Sequence, residues 1–167
     1  FGKGVVYDRN GMIEYDGLWE NNEPSFRNSN GSTICNRTIS FRINDDSFNE
    51  VKSFILHSFF HLLAHIVIGN ECFGKVRVFE LDGLGELESV VIGRDSFRID
   101  GRERSDGDCR IVNCPKLKSI QIGYETFEDY HSFELSNLPS LQSIDIGGWC
   151  FRWAPSFSLT GLIDGLV

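Results

Sequence analysis

The sequence has no apolar run near the ~20 residues that a membrane-spanning helix requires, and its longest candidate, Phe59 to Gly69, is interrupted by His61 and His65. A membrane anchor is therefore not expected. Cations are the minority: 16 Lys and Arg against 24 Asp and Glu give a formal net charge of -8, and the cations are scattered along the chain. Phosphate backbones are bound by clustered cations, so nucleic acid is excluded as a partner and anionic membrane surfaces are disfavoured. Proline is scarce, at four residues, beside a 41% hydrophobic share, which argues for a folded chain. The five cysteines are an odd count without a CxxC pair, so they read as reduced core residues in a cytoplasmic protein, the cell surface being the alternative. There is no initiator Met, and the chain opens and closes inside motifs, as expected of a fragment of a longer protein.

Catalytic constellations are missing as well. Gly83-Leu-Gly85 lacks the third glycine and following helix of a dinucleotide loop. The acids Asp100, Glu103, Asp106 and Asp108 alternate with Arg98, Arg102 and Arg104, which opposes calcium ligation. His57, His61 and His65 recur every four residues and on a helix would share a metal-binding face. The repeat register described next separates them, with His57 in the column of Leu81 and Leu135, His61 on a turn and His65 in the column of Ser89. Neither an enzyme nor a cofactor nor a metal is expected.

What the chain does contain is self-similarity, which outranks any local reading. Ile43, Ile68, Ile92, Ile122 and Ile146 are spaced by 25, 24, 30 and 24 residues, and Phe48, Phe73, Phe97, Phe127 and Phe151 repeat the same intervals. Two columns moving together define one structural unit per period. Within a unit the frame Leu-x-Ser-Ile-x-Ile-Gly, as in Leu117 to Gly123 and Leu141 to Gly147, alternates apolar and polar, the pattern of a short strand with one buried face. The glycine after it, Gly69, Gly93, Gly123 or Gly147, is expected to make a sharp bend, and the phenylalanine four residues on to fill the interior. Phe79-Glu-Leu81 and Phe133-Glu-Leu135 suggest a second strand ladder opposite. A lone unit exposes its Leu, Ile and Phe on both cut faces, so neighbours must stack, at about 1.5 to 3 kcal/mol per large apolar side chain buried.

These motifs resemble the leucine-rich repeat family, in particular its bacterial-surface-antigen type, in which Ile-Gly-x-x-x-Phe follows the strand; the resemblance covers roughly residues 38–167. The Asn ladder of common leucine-rich repeats is absent from the glycine column. The resemblance implies a curved stack of parallel strands that recognises other macromolecules, usually proteins.

The first segment differs. From Gly2 to Asn22, aromatic and β-branched residues flank Asn10-Gly11, a hairpin signal because both turn residues tolerate positive φ. With Gly11, Tyr15, Gly17 and Trp19 in place, it is similar to the MORN repeat, whose stacked hairpins bind proteins and sometimes lipids. Residues 23–32, rich in Asn, Ser and Gly, read as a linker, and 33–167 as a solenoid of about five units.

The outward strand positions Arg42, Val67, Val91, Gln121 and Asp145, with Tyr124 and Trp149 just past the strand ends, form the candidate partner-binding face. The longer interval places a charged insertion within Arg98 to Asp108, which could aid binding at the edge of the stack. The expected function is a non-enzymatic protein-interaction scaffold whose partner is a protein of unknown identity. The alternatives are an extracellular adhesin or receptor ectodomain, and the targeting arm of an enzyme whose catalytic domain lies elsewhere.

Overall fold

The computed structural model describes residues 2–7, 13–20, 23–27, 33–34, 37–99 and 106–162. Gly11, with the Asn10-Gly11 turn, and residues 100–105 of the insertion lie outside the described residues. Strand β1 (Gly2–Tyr7) pairs antiparallel with β2 (Ile13–Glu20), Gly4 facing Gly17 and Val6 facing Tyr15, so the two arms of the expected hairpin are present. The sheet extends further than the hairpin reading allowed. β3 (Glu23–Arg27) and β4 (Thr33–Ile34) add to it in the order β1-β2-β3-β4. A strand thus occupies the first half of the segment expected to be a linker. Its polar composition hides it, because the free edge of β2 supplies backbone partners that no side-chain pattern announces.

From Ser40 onward the chain is a solenoid of about five turns, each contributing one strand to each of two parallel ladders. The first ladder comprises β5 (Ser40–Ile43), β7 (His65–Ile68), β9 (Ser89–Ile92), β11 (Ser119–Ile122) and β13 (Ser143–Ile146). The second comprises β6 (Ser53–Leu56), β8 (Val78–Asp82), β10 (Gly107–Val112), β12 (Tyr130–Leu138) and β14 (Ser156–Leu162). Among the described residues the sole helical piece is a 3-10 turn, Ser58–Phe60. Ile43, Ile68, Ile92, Ile122 and Ile146 face one another in register, the first four almost fully buried. The register runs on across the insertion: Ser89 faces Ser119 and Phe79 faces Cys109, so six added residues leave both ladders intact.

The interior is a stack of rings. Phe48, Phe73, Phe97, Phe127 and Phe151 lie near-parallel with centroids 5.3, 4.9, 4.6 and 5.2 Å apart. Phe54 and Phe79, from the second ladder, meet this column edge-on. Such stacked and edge contacts add about 0.5 to 1.5 kcal/mol per pair to the burial itself.

The bend after each first-ladder strand is made differently from expectation. None of Gly69, Gly93, Gly123 and Gly147 has a positive φ; the left-handed residues lie two and four positions later, as in Asp95 (φ 55°) and Phe97 (φ 54°) or Glu125 (φ 55°) and Phe127 (φ 56°). The glycines answer a different demand. A Cβ at Gly93 would sit 2.6 Å from the Gly69 carbonyl carbon, and one at Gly123 would sit 2.5 Å from the Arg94 nitrogen. Successive backbones pass so closely there that no side chain fits, and each glycine N–H donates to the isoleucine carbonyl one layer back, Gly93 to Ile68 at 2.8 Å. Three residues further on, the hydroxyl of Thr126 donates to the Gly93 carbonyl (2.6 Å) and accepts from the Ser96 N–H (3.3 Å). Ser96 repeats this with Gly69 and Cys72. A small polar side chain in this column therefore satisfies two backbone groups that the turn leaves unpaired.

Candidate partner-binding surface

The alternation that buries Phe41 and Ile43 turns Ser40 and Arg42 outward, and the in-register pairing propagates this through every layer. Arg42, Val67, Val91, Gln121 and Asp145 consequently form one continuous row, and Ser40, His65, Ser89, Ser119 and Ser143 form a second row beside it. At the spacing of paired strands each row is about 19 Å long. Arg42, Gln121 and Asp145 are exposed, whereas Val67 and Val91 are half-buried by their neighbours. His65 Nδ1 lies 2.9 Å from Ser89 Oγ, tying the second row together.

At the last two turns the surface changes character. The position held by Asp46, Glu71, Asp95 and Glu125 in successive layers is taken by Trp149 in the fifth. Arg152 spans the two tryptophans there, its guanidinium carbon 4.0 Å from the Trp149 ring centroid and 4.7 Å from that of Trp153. The Tyr124 ring lies across Gly148, where an added Cβ would be 3.5 Å from its edge. Trp149 and Trp153 are each about half exposed; Ile146, Phe157 and Leu159 stand in the inward columns of Ile122, Phe133 and Leu135 and are exposed where the described residues end. Of the eight exposed large hydrophobic residues among those described, six lie between Tyr124 and Leu159. The expected Tyr124 and Trp149 thus lie beside Arg152 and Trp153, a grouping that sequence reasoning did not assemble. Its one legible signal was a tryptophan in an acidic column.

The chain matches no family model, no curated protein and no solved structure.

Along the other edge, an open groove of about 660 Å³ is lined by Asp46, Glu71 and Asp95 together with Asn49, Lys75 and Arg98. Its two cations are engaged: Arg98 reaches Glu125 at 2.8 Å, Glu128 at 3.2 Å and Asp95 at 3.6 Å, while Lys75 holds Glu50 at 2.7 Å. Neither a histidine nor a thiol lines it. The described cysteines are unpaired, Cys72, Cys109 and Cys114 buried and Cys150 partly so. Burial pushes the Cys114 thiol up to about 11, away from nucleophilic character.

The three spaced histidines separate, as the register required, with one correction. Leu56, not His57, is the partner of Leu81, so His57 stands one place further on, beside Asp82. The extra residue of the 25-residue interval falls in the 3-10 turn after the strand, so a constant period of 24 misplaces everything before it by one. His57 Nε2 lies 3.7 Å from Glu80 Oε1, and ligand atoms of His57, Glu80 and Asp82 all lie within 4.8 Å of one another. His61 caps its own turn through the Phe59 carbonyl, and His65 faces out from the first ladder.

Two short side-chain ladders escaped the sequence reading. In one, Asp45 accepts from the backbone N–H of Asn70 (2.8 Å), and Asn70 accepts from that of Arg94 (3.0 Å). In the other, Asn137 donates to Asn113 (2.9 Å) and Asn113 to Asp82 (2.8 Å). Asn113 and Asn137 have φ of 55° and 53°, a conformation Asn tolerates through its short side chain, and Gly83 and Gly161 take the same backbone region in the adjoining layers.

Proposed function

We propose that this protein is a non-enzymatic interaction scaffold that binds a partner protein on the first-ladder face, anchored at its Tyr124, Trp149 and Trp153 end. The observation that carries this reading is the grouping of the exposed Tyr124, Trp149 and Trp153 at that end of the row, with Arg152 over both tryptophan rings. Tryptophan, tyrosine and arginine are the side chains that dominate protein interfaces, because they remove large area from water at low entropic cost. The resemblance to leucine-rich and MORN repeats points the same way, as does a surface of rigid strands. The acidic balance argues against a nucleic-acid partner, and the unpaired described cysteines suit a reducing, cytoplasmic setting.

Affinity purification from native extract with quantitative mass spectrometry tests the proposal, comparing wild type with Trp149→Ala and Val91→Glu. Both positions lie on the surface or half out of it, so melting within a few degrees of wild type is expected. A partner recovered with wild type should fall about tenfold or more with Trp149→Ala, the loss of an aromatic anchor costing about 2 kcal/mol. Equal recovery with both variants refutes the assigned face.

A further inference from the structure

We infer that His57, Glu80 and Asp82 form a zinc site on the outer face of the second ladder, independent of the protein-binding reading. The site follows from strand geometry. Glu80 and Asp82 are two apart on β8 and so share a face, while His57 continues the outward row of Ser53 and Ile55 on the neighbouring strand. The His57 backbone is extended (φ -116°, ψ -176°), and its carbonyl accepts from the Phe60 N–H at 3.0 Å, so the 3-10 turn holds it in that row.

The donor set is one imidazole nitrogen and two carboxylate oxygens. Zinc takes this mixture with a water in the fourth position, whereas calcium requires six to eight oxygens. In a tetrahedral site with bonds of about 2.0 to 2.2 Å the ligand atoms stand about 3.3 to 3.6 Å apart. Atoms already within 4.8 Å reach that spacing by small side-chain rotations. The His57 and Glu80 side chains are only 20% and 17% exposed, so a bound ion would be partly shielded from water.

The surroundings orient and charge the cluster. Arg110 holds Glu80 Oε2 at 3.3 Å and Glu134 Oε2 at 3.0 Å, which leaves Glu80 Oε1 turned toward His57. Asn113 donates to Asp82 Oδ1 and fixes that carboxylate. Three carboxylates, Glu80, Asp82 and Glu134, thus surround a single guanidinium, an excess of two negative charges that a divalent cation neutralises. Partners of this kind, which set the ligands rather than touch the metal, alter affinity by about 10- to 100-fold when removed.

The test is titration of the EDTA-stripped full chain with zinc chloride, read by calorimetry and by Tm. Saturable equimolar binding that raises Tm is expected. His57→Ala and Glu80→Gln should each weaken binding at least about tenfold, and Asn113→Ala somewhat less. His61→Ala and His65→Ala should bind as wild type does. Two variants at the site guard against misfolding of either, and their melting in EDTA reports on the fold itself. Absence of zinc binding by wild type, undiminished binding by both site variants, or an equal Tm shift with calcium each overturns the assignment.

Discussion

Replacing Phe97 separates two demands that the fold places on a single residue. The ring is fully buried, stacked between Phe73 at 4.9 Å and Phe127 at 4.6 Å, with Phe79 edge-on at 5.0 Å. Truncation to alanine removes this side chain from the middle of a stack that cannot close on the gap, at about 3 to 5 kcal/mol. The backbone is the second demand, because Phe97 sits at φ 54°, where any residue with a Cβ is strained by roughly 1 to 2 kcal/mol. Glycine elsewhere is worse than alanine by about 0.5 to 1 kcal/mol. Here that order should reverse: Phe97→Gly loses the same ring but relieves the strain, and should be as stable as Phe97→Ala or up to about 1 kcal/mol more stable. Urea unfolding followed by circular dichroism, with m-values compared among the three proteins, measures both differences. A loss below about 1 kcal/mol for Phe97→Ala would show that the column is not interior. A glycine variant clearly less stable than the alanine variant would show that the left-handed turn is not strained.

Two further outcomes follow from the turns. Gly93→Ala should destabilise severely, by about 3 kcal/mol or more, since its new Cβ meets rigid backbone at 2.6 Å; Gly85→Ala, with nothing within 4 Å, should be neutral or stabilise by up to about 1 kcal/mol, and thermal melts distinguish the two. The Asp45 carboxyl is held below its ordinary value of 3.8, chiefly by the Asn70 backbone N–H and then by the Asn70 side-chain amide. A carboxyl with a lowered folded-state pKa contributes stability above its unfolded value that is lost as pH falls through the folded one. Asp45→Asn should therefore melt lower than wild type near neutrality, and the gap should narrow between about pH 5 and pH 2. A gap that widens on acidification contradicts this sign.

Much of this architecture could be read along the chain because its determinants are local and repeated. A strand needs only alternation, and Leu117 to Gly123 or Leu141 to Gly147 alternate openly. Five copies at shared intervals then made stacking unavoidable, so the interior place of Phe73, Phe97 and Phe127 and the outward row from Arg42 to Asp145 could be assigned from counting. Counting failed where one interval differed by one residue, and His57 was placed beside Leu81 when it stands beside Asp82. It also failed where composition is silent, as at Glu23–Arg27, which becomes a strand because a neighbouring edge accepts it.

The periodic spacing of isoleucine and phenylalanine was enough to determine that this protein is a solenoid of parallel strands, because apolar side chains at a fixed interval can leave water together only by layering. Only the tertiary structure decided what lies between and across the layers. The glycines serve close backbone approach rather than bending, since that contact involves the layer before, some 24 residues away. Tyr124, Trp149 and Trp153 gather on one surface because the turns of neighbouring layers bring them together, and His57 meets Glu80 and Asp82 because adjacent strands bring distant residues side by side. Such encounters depend on three-dimensional register, which a linear pattern specifies only to within a residue, and one residue is enough to change which side chains meet.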